Sequence, residues 1–313
     1  MVGQGVPRTV FRQERLDAFG DRIVLRDPRG RSAQPAILHE RSGGPPTVGG
    51  AISVVQRYTI AKSEGGAFVE TTGDSNPIHR DGGIVPGAML SARALLLPEL
   101  LFEHATEGRA RLIPVRHARF RFRGFALYGE PTVNLYRIQP GPDGELCIQV
   151  EVRQRETSIT EGTLRLRAPG SAVGPVDQRE LLAAERPNLR LSRETVHRFL
   201  QSLRVDPALY AAVAGDAYPR AFLASLPSGE MVRHFSGEGG LLNVLDLEFT
   251  AEALTMAESG PPPVELEDTR EARLSFRKVV TRVAQGVRTF CRGFAMVLPA
   301  TAAQKTALAG AKR

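Results

Sequence analysis

The clearest chemical potential in this chain belongs to an aspartate and a histidine five positions apart, Asp74 and His79. Gly73 and the pair Asn76 and Pro77 are turn formers, and Pro77 holds Asn76 in an extended conformation. Such a turn aims two polar side chains at one point. The spacing fits a general acid/base pair that acts on water. By spacing alone, it also fits an ordinary loop with a solvated histidine.

The segment after this turn predicts a buried helix that begins near the same point. Residues Ile84 to Leu97 are apolar on nearly every side, and Pro98 is expected to kink or restart the helix. Because the helix begins a few residues past His79, its free N–H groups can point at the acid/base pair. Gly87 at its start lets a ligand approach the backbone. Proton transfer beside such donors suits a thioester enolate.

Residues Thr72 to His79, followed by an apolar segment and a Pro-Gly helix start, resemble the MaoC-like (R)-specific enoyl-thioester hydratases and dehydratases. Those proteins have the hot dog fold, an antiparallel sheet wrapped around one long helix, and the resemblance covers roughly Ala51 to Pro169. It implies that Asp74 and His79 are the catalytic dyad and that the Gly87 amide holds the thioester carbonyl. The resemblance further implies that the turn or the substrate pocket is shaped by Asn76, Pro77 and Pro86.

Two departures from the family's pattern bear on the pocket. The family commonly has a longer segment, often a short helical lid, between the motif histidine and the helix glycine. This chain has only Arg80 to Pro86 there, which predicts a differently shaped acyl pocket. The family also often carries a serine deeper in the central helix. The corresponding region here is Ala94 to Leu96, with Ser91 one turn earlier, so assistance from a serine is in doubt.

The length of 313 residues predicts two domains. Alternating apolar and polar residues predict strands after the helix, which is the order of a hot dog domain. Together with the resemblance, this order implies an α+β fold class, a tandem hot dog. We divide the chain into an N-terminal, partly ordered extension (1–50), a catalytic hot dog domain (51–170), a linker (171–188), a degenerate second hot dog domain (189–300) and a C-terminal tail (301–313). The first domain's predicted strands after the helix are 119–123, 132–138, 146–152 and 163–167.

The second half repeats the outline of the first without its chemistry. The pair Gly215 and Asp216 is followed by Pro219 to Leu223, which echoes Pro86 to Leu90. No histidine follows Asp216 within the turn, and Arg220 stands where the first copy has a glycine. We therefore expect one active site, in the first half, and an intramolecular pseudo-dimer, with a homodimer left open. Strands are predicted at 245–249, 272–280 and 287–294.

Composition limits the possible partners. The formal net charge is +7, with 37 arginines and four lysines scattered along the chain. This excess fits either a coding bias or attraction to the phosphates of coenzyme A or an acidic carrier protein. Nucleic-acid binding is not expected because aromatic residues are few and tryptophan is absent. No Cys/His cluster has zinc spacing, and no apolar run of about 18 residues or signal peptide occurs. We expect a soluble, cytoplasmic protein without metal.

These features favour an (R)-specific 3-hydroxyacyl-thioester dehydratase or 2-enoyl-thioester hydratase, a hydro-lyase. The expected substrate is a thioester of coenzyme A or of an acyl carrier protein, without a separate cofactor. Such chemistry is compatible with fatty acid, polyhydroxyalkanoate or polyketide metabolism. The main alternative is a non-catalytic hot dog protein that binds acyl thioesters or serves as a subunit. A thioesterase ranks third, because thioesterases with this fold usually lack the turn at Asp74 to His79.

Overall fold

The structure is a computed structural model of the chain. It describes residues 8–11, 22–26, 38–39, 52–80, 82–106, 109–141, 145–167, 192–235, 240–250, 255–256, 264–269, 276–285 and 288–299. The segments assigned above as linker (171–188) and C-terminal tail (301–313) lie outside the described residues.

The described residues form fourteen strands and six helices. The strands are β1 (Arg8–Phe11), β2 (Arg22–Arg26), β3 (Leu38–His39), β4 (Ile52–Thr59), β5 (Phe102–Thr106), β6 (Arg109–Leu112), β7 (Val115–Phe122), β8 (Pro131–Pro140), β9 (Leu146–Gln154), β10 (Thr157–Leu166), β11 (Gly240–Phe249), β12 (Val264–Thr269), β13 (Arg277–Gln285) and β14 (Arg288–Pro299). The helices are α1 (Lys62–Thr72), α2 (Pro77–Arg80), α3 (Gly87–Leu101), α4 (Arg193–Ser202), α5 (Pro207–Ala214) and α6 (Arg220–His234).

Ten strands form one antiparallel sheet in the order β12-β13-β14-β11-β7-β10-β9-β8-β4-β2. Alternation sets its two faces, because successive side chains of a strand point to opposite sides. On β7, Phe120 and Phe122 are buried while Arg119 and Arg121 are exposed. The strands predicted in the first domain are present. In the second half, β13 and β14 begin and end later than the sequence patterns predicted, and α5 and β12 were not predicted.

Helices α3 and α6 are the two central helices, each 15 residues long, and they pack against each other. Every residue of α3 from Ala88 to Leu101 is buried, as its apolar composition predicted. The helix does not restart at Pro98 but continues to Leu101. The missing N–H of Pro98 costs one bond to the carbonyl four residues earlier. Burial on all sides of α3 outweighs that loss.

The segment predicted as an N-terminal extension contributes three strands to the two sheets. Strand β2 pairs with β4 and forms one edge of the large sheet. Strands β1 and β3 join β5 and β6 in a second, four-stranded sheet ordered β3-β1-β5-β6. The other residues of 1–50 lie outside the described residues.

The two halves join through both their sheets and their helices. Strand β7 of the first half pairs with β11 of the second, with Phe120 opposite Leu245. On the outer face of this junction, His117 Nε2 lies 2.7 Å from Asp246 Oδ1. In the core, the Phe199 ring lies 5.6 Å from Phe68 of the first half, between ring centroids. Because both layers cross the junction, the halves share one core.

Candidate active site

The turn that carries Asp74 and His79 is fixed by its own backbone. Gly73 is the C-cap of helix α1, and its φ of 72° is a left-handed conformation that glycine adopts without strain. The Asn76 N–H then donates to Asp74 Oδ1 at 3.2 Å, and Asn76 Oδ1 accepts from the Ile78 N–H at 3.3 Å. Pro77 begins the single turn of α2, which carries His79. The sequence predicted this turn correctly because its determinants are local.

The short segment between His79 and helix α3 is held against the loop at 126–128. The Val85 N–H donates to the Ala126 carbonyl at 2.8 Å, and the Tyr128 N–H donates to the Gly83 carbonyl at 3.2 Å. Gly83 has a φ of 69°, and a Cβ on Gly82 would lie 2.6 Å from the Ile78 carbonyl oxygen. Both glycines are therefore required for so short a connection. Pro86 ends it as the N-cap of α3.

Asp74 and His79 face each other in a buried position. Asp74 Oδ2 lies 3.8 Å from His79 Nε2, and their side chains are 2% and 8% exposed. His79 Nδ1 lies 3.0 Å from the Ile84 carbonyl oxygen, which can only accept a hydrogen bond. In the neutral ring the proton is therefore on Nδ1, and the lone pair of Nε2 points toward Asp74. Both facing atoms are acceptors, separated by more than a direct hydrogen bond.

The second half supplies a further side chain to this site. Ser228 on α6 donates from its hydroxyl to Asp74 Oδ2 at 2.7 Å. The Asn76 side-chain N–H also donates to the Gly240 carbonyl of β11 at 3.2 Å. Sequence reasoning missed Ser228. When α3 and α6 are aligned at their first residues, Gly87 and Arg220, Ser228 is equivalent to Leu95. The second copy therefore has a serine at a position where the first copy has none.

A cavity of about 50 Å³ adjoins the dyad. Gly87 lines it, and a Cβ there would lie 3.2 Å from Phe122 Cε1 and 3.5 Å from Leu242 Cδ1. The Gly87 N–H has no acceptor within the helix because it is in the first turn. The cavity brings together Asp74, Asn76, His79 and Gly87, while Pro77 and Pro86 shape the backbone. Its other lining residues are Ile84, Val85, Leu90, Phe122, Gly124, Phe125, Ala126, Ser228, Met231, Val232, Gly240, Leu241, Leu242 and Val297.

Tyr128 interacts electrostatically with Asp74. Burial raises the pKa of the Tyr128 hydroxyl above its ordinary value, and the negative charge of Asp74 adds to the effect. In the described part of the chain, no group of three or more His, Cys, Asp and Glu side chains is arranged to hold a metal ion. Asp74, His79 and the Gly87 N–H place an acid/base pair beside a backbone donor.

The start of the second central helix has different surroundings. Glu99 of α3 accepts a hydrogen bond from the Arg220 N–H at 3.3 Å, so a carboxylate caps the first turn of α6. Burial raises the pKa of Glu99, although the positive charge of Arg220 opposes the shift. The Arg220 guanidinium donates to the Thr250 carbonyl at 3.2 Å. Asp216, the counterpart of Asp74, is about half exposed and forms an ion pair with Arg193.

Comparison with solved structures identifies the architecture. A MaoC-like dehydratase superposes with a TM-score of 0.52 at 11% identity, over 77% of this chain and 94% of that chain. HtdX of Mycobacterium tuberculosis gives a TM-score of 0.50 at 11% identity, over 78% and 98%. The fold is a double hot dog. This confirms the predicted fold class and the fold expected from the resemblance.

The double hot dog also resembles part of a larger enzyme. Peroxisomal multifunctional enzyme type 2 of Drosophila melanogaster matches with a TM-score of 0.52 at 10% identity, over 79% of this chain and 48% of that chain. By sequence, no family model and no curated protein matches this chain. None of the helices among the described residues is both long and apolar enough to cross a membrane.

Proposed function

We propose that this protein adds water reversibly to 2-enoyl thioesters, as an (R)-specific enoyl-thioester hydratase or 3-hydroxyacyl-thioester dehydratase. The proposal depends mainly on one observation, the buried pair of Asp74 Oδ2 and His79 Nε2, 3.8 Å apart beside the first turn of α3. The proposed substrates are acyl thioesters of coenzyme A or of an acyl carrier protein.

The spacing of the pair suits a single water molecule. Two acceptors 3.8 Å apart can each lie about 2.8 Å from the same oxygen atom. A water at that point donates one hydrogen to the Asp74 carboxylate and the other to His79 Nε2. Its lone pairs remain free for the β-carbon of the substrate. The Ser228 hydroxyl and the Asn76 N–H keep the carboxylate oriented for this role.

The first turn of α3 supplies the electrophilic half of the mechanism. When the thioester oxygen accepts a hydrogen bond from the Gly87 N–H, the carbonyl is polarised and the β-carbon becomes electrophilic. The water oxygen bonds to the β-carbon while the dyad takes one of its protons, and electron density moves to the thioester oxygen as an enolate. The dyad then returns a proton to the α-carbon. It ends as it began, and the proposed reaction needs no metal or redox cofactor.

The test is a spectrophotometric hydration assay on crotonyl-CoA, with Asp74→Asn and His79→Ala beside the wild type. We expect activity in the wild type and a loss of at least about 10²-fold in each variant, the scale of a lost general acid or base. Asp216→Asn and His234→Ala are matched controls. Both side chains belong to the second half and lie outside the cavity, so these variants should keep wild-type rates.

Inactivity of the wild type on both CoA and carrier-protein substrates would contradict the proposal. Release of free thiol from saturated acyl-CoA would instead identify a thioesterase. Tight binding of acyl-CoA without turnover would identify the non-catalytic alternative.

A further inference from the structure

The cavity beside the dyad is small for a ligand site. Its volume is about 50 Å³. An apolar cavity of about 150 Å³ holds one benzene molecule, and pockets for larger ligands measure about 300–1,000 Å³. By this scale the enclosed space next to Asp74 and His79 has room for only the first few carbon atoms of an acyl chain. Most of a long acyl chain would lie outside it.

Much of the wall comes from the second half of the chain. Ser228 contacts Asp74, and Met231 follows three residues later on the same face of α6. The Met231 side chain lines the same cavity as the dyad. Met231 is 5% exposed, so it is enclosed by other side chains. Leu242 of β11 lies against Gly87, close to the proposed carbonyl position.

The opposite wall is fixed by backbone hydrogen bonds. The segment that ends at Pro86 is bonded to the loop at 126–128 through Val85 and Gly83. Ile84 also forms an isolated β-bridge with Leu127. Enlarging the cavity on this side would break these bonds. Both walls therefore hold the cavity at its small volume.

We propose that this site takes short acyl thioesters, with an acyl chain of about four carbons, and that Met231 sets this limit. The inference rests on the proposed function, since it names the substrate class of the same site. The carbonyl carbon lies at Gly87, the α- and β-carbons lie at the dyad, and one further carbon fills the space in front of Met231. A longer chain contacts the Met231 side chain.

The experiment compares kcat/KM for 2-enoyl-CoA substrates of four, six and eight carbons. We expect the wild type to prefer the four-carbon substrate, with kcat/KM at least about tenfold lower for each longer substrate. A single methylene that does not fit a pocket usually causes at least this much discrimination. Met231→Ala should raise kcat/KM for six and eight carbons relative to four by about tenfold. Met256→Ala is the matched control, because Met256 packs on the core outside the cavity.

Met231→Val is a second variant, in case Met231→Ala folds poorly. It shortens the same side chain but removes less buried volume, so it disturbs the core less. A wild type that hydrates the eight-carbon substrate as well as the four-carbon one overturns the inference. So does an unchanged chain-length profile in both variants.

Calorimetry with butyryl-CoA and octanoyl-CoA separates this inference from the proposed function. If the protein binds butyryl-CoA more tightly than octanoyl-CoA but hydrates no enoyl thioester, the proposed reaction is contradicted and the short-chain pocket is supported. Equal affinity for the two ligands would overturn the short-chain pocket, whether or not the protein hydrates enoyl thioesters.

Discussion

Helices α3 and α6 begin in the same way and lie in different surroundings. Their proline N-caps have nearly the same backbone angles, with φ −56° and ψ 130° at Pro86 and φ −58° and ψ 133° at Pro219. At the start of α3, Gly87 faces a cavity that contains an acid/base pair. At the start of α6, the Arg220 N–H donates to the carboxylate of Glu99, and the Arg220 guanidinium donates to the Thr250 carbonyl.

The two central helices also exchange side chains. Ser228 of α6 contacts Asp74 in the first half, and Glu99 of α3 accepts a hydrogen bond from the N–H of Arg220 in the second. Each central helix therefore contributes one polar side chain to the other half. The comparison teaches that the second copy, although it lacks the dyad, supports the first by its packing and by one hydroxyl group.

The most severe test makes the first helix start resemble the second. Gly87→Arg should reduce hydration by about 10²-fold or more, because the new side chain fills the cavity and the backbone donor is blocked. Gly87→Ala should have a smaller effect, since its Cβ would lie 3.2 Å from a Phe122 ring that must shift slightly. Steady-state kinetics measure both, with circular dichroism as a check of folding. Wild-type kcat/KM in the arginine variant would contradict the role of Gly87.

A second test removes the side chain that the second half sends to the site. Ser228→Ala should lower kcat about tenfold, the scale of one hydrogen bond to a charged group. Ser225→Ala is the matched control, since its hydroxyl donates to the Ala221 carbonyl one turn earlier. Equal effects of the two variants would show that Ser228 has only a packing role.

A third test concerns the carboxylate that caps α6. Because burial raises the pKa of Glu99 above 4.5, its contribution to stability is fully present below that pH and is lost as pH rises through the raised value. Glu99→Gln has no ionisation at this position. The free energy of unfolding of the wild type should therefore decrease relative to this variant as pH rises from about 4.5. Urea titrations between pH 4 and 8 measure the difference.

The control for this test is a carboxylate with the opposite shift. The hydrogen bond from Arg155 lowers the pKa of Glu130, so its contribution to stability is present above the unfolded pKa and is lost as pH falls. The free energy of unfolding of the wild type relative to Glu130→Gln should therefore increase as pH rises. Parallel behaviour of the two variants would contradict the account of Glu99.

The smallest expected effect lies at the sheet junction on the outer face. Asp246→Asn weakens the contact with His117, which is 30% exposed, so we expect a loss of about 0.2–1 kcal/mol in unfolding free energy. Activity should stay at the wild-type level because the helices also join the halves. Urea denaturation and the hydration assay measure the two outcomes. A tenfold loss of activity would show that the sheet junction, and not the helix contact alone, sets the position of the dyad.

The sequence predicted those features that depend on neighbouring residues. The turn at Asp74 to His79 is defined by Gly73, Asn76 and Pro77, and β7 is defined by the alternation of arginine with phenylalanine. Burial of α3 followed from its composition. These features share a local cause, so a short window of sequence was enough.

The features that were missed depend on distant partners. The contact of Ser228 with Asp74 spans 154 positions, and local patterns do not show which side chain faces another across two helices. In α3 the position equivalent to Ser228 is Leu95, so the sequence of the first half gives no sign of this hydroxyl. Likewise, Pro98 has a strong intrinsic effect on a helix, and the surrounding core outweighs it.

The pairing of the two halves has a consequence for synthesis of the protein on the ribosome. The hydrogen bond of Asp74 with Ser228 forms only after Ser228 has been synthesised. The bond of Asn76 with Gly240 requires a residue 164 positions further along the chain. At translation rates of about 5–20 residues per second, the first half emerges many seconds before the groups that complete it. Contacts of such high order form late in folding. A first half that is still being synthesised, or that is released early, should therefore lack hydration activity. Activity should appear only after the whole chain has folded.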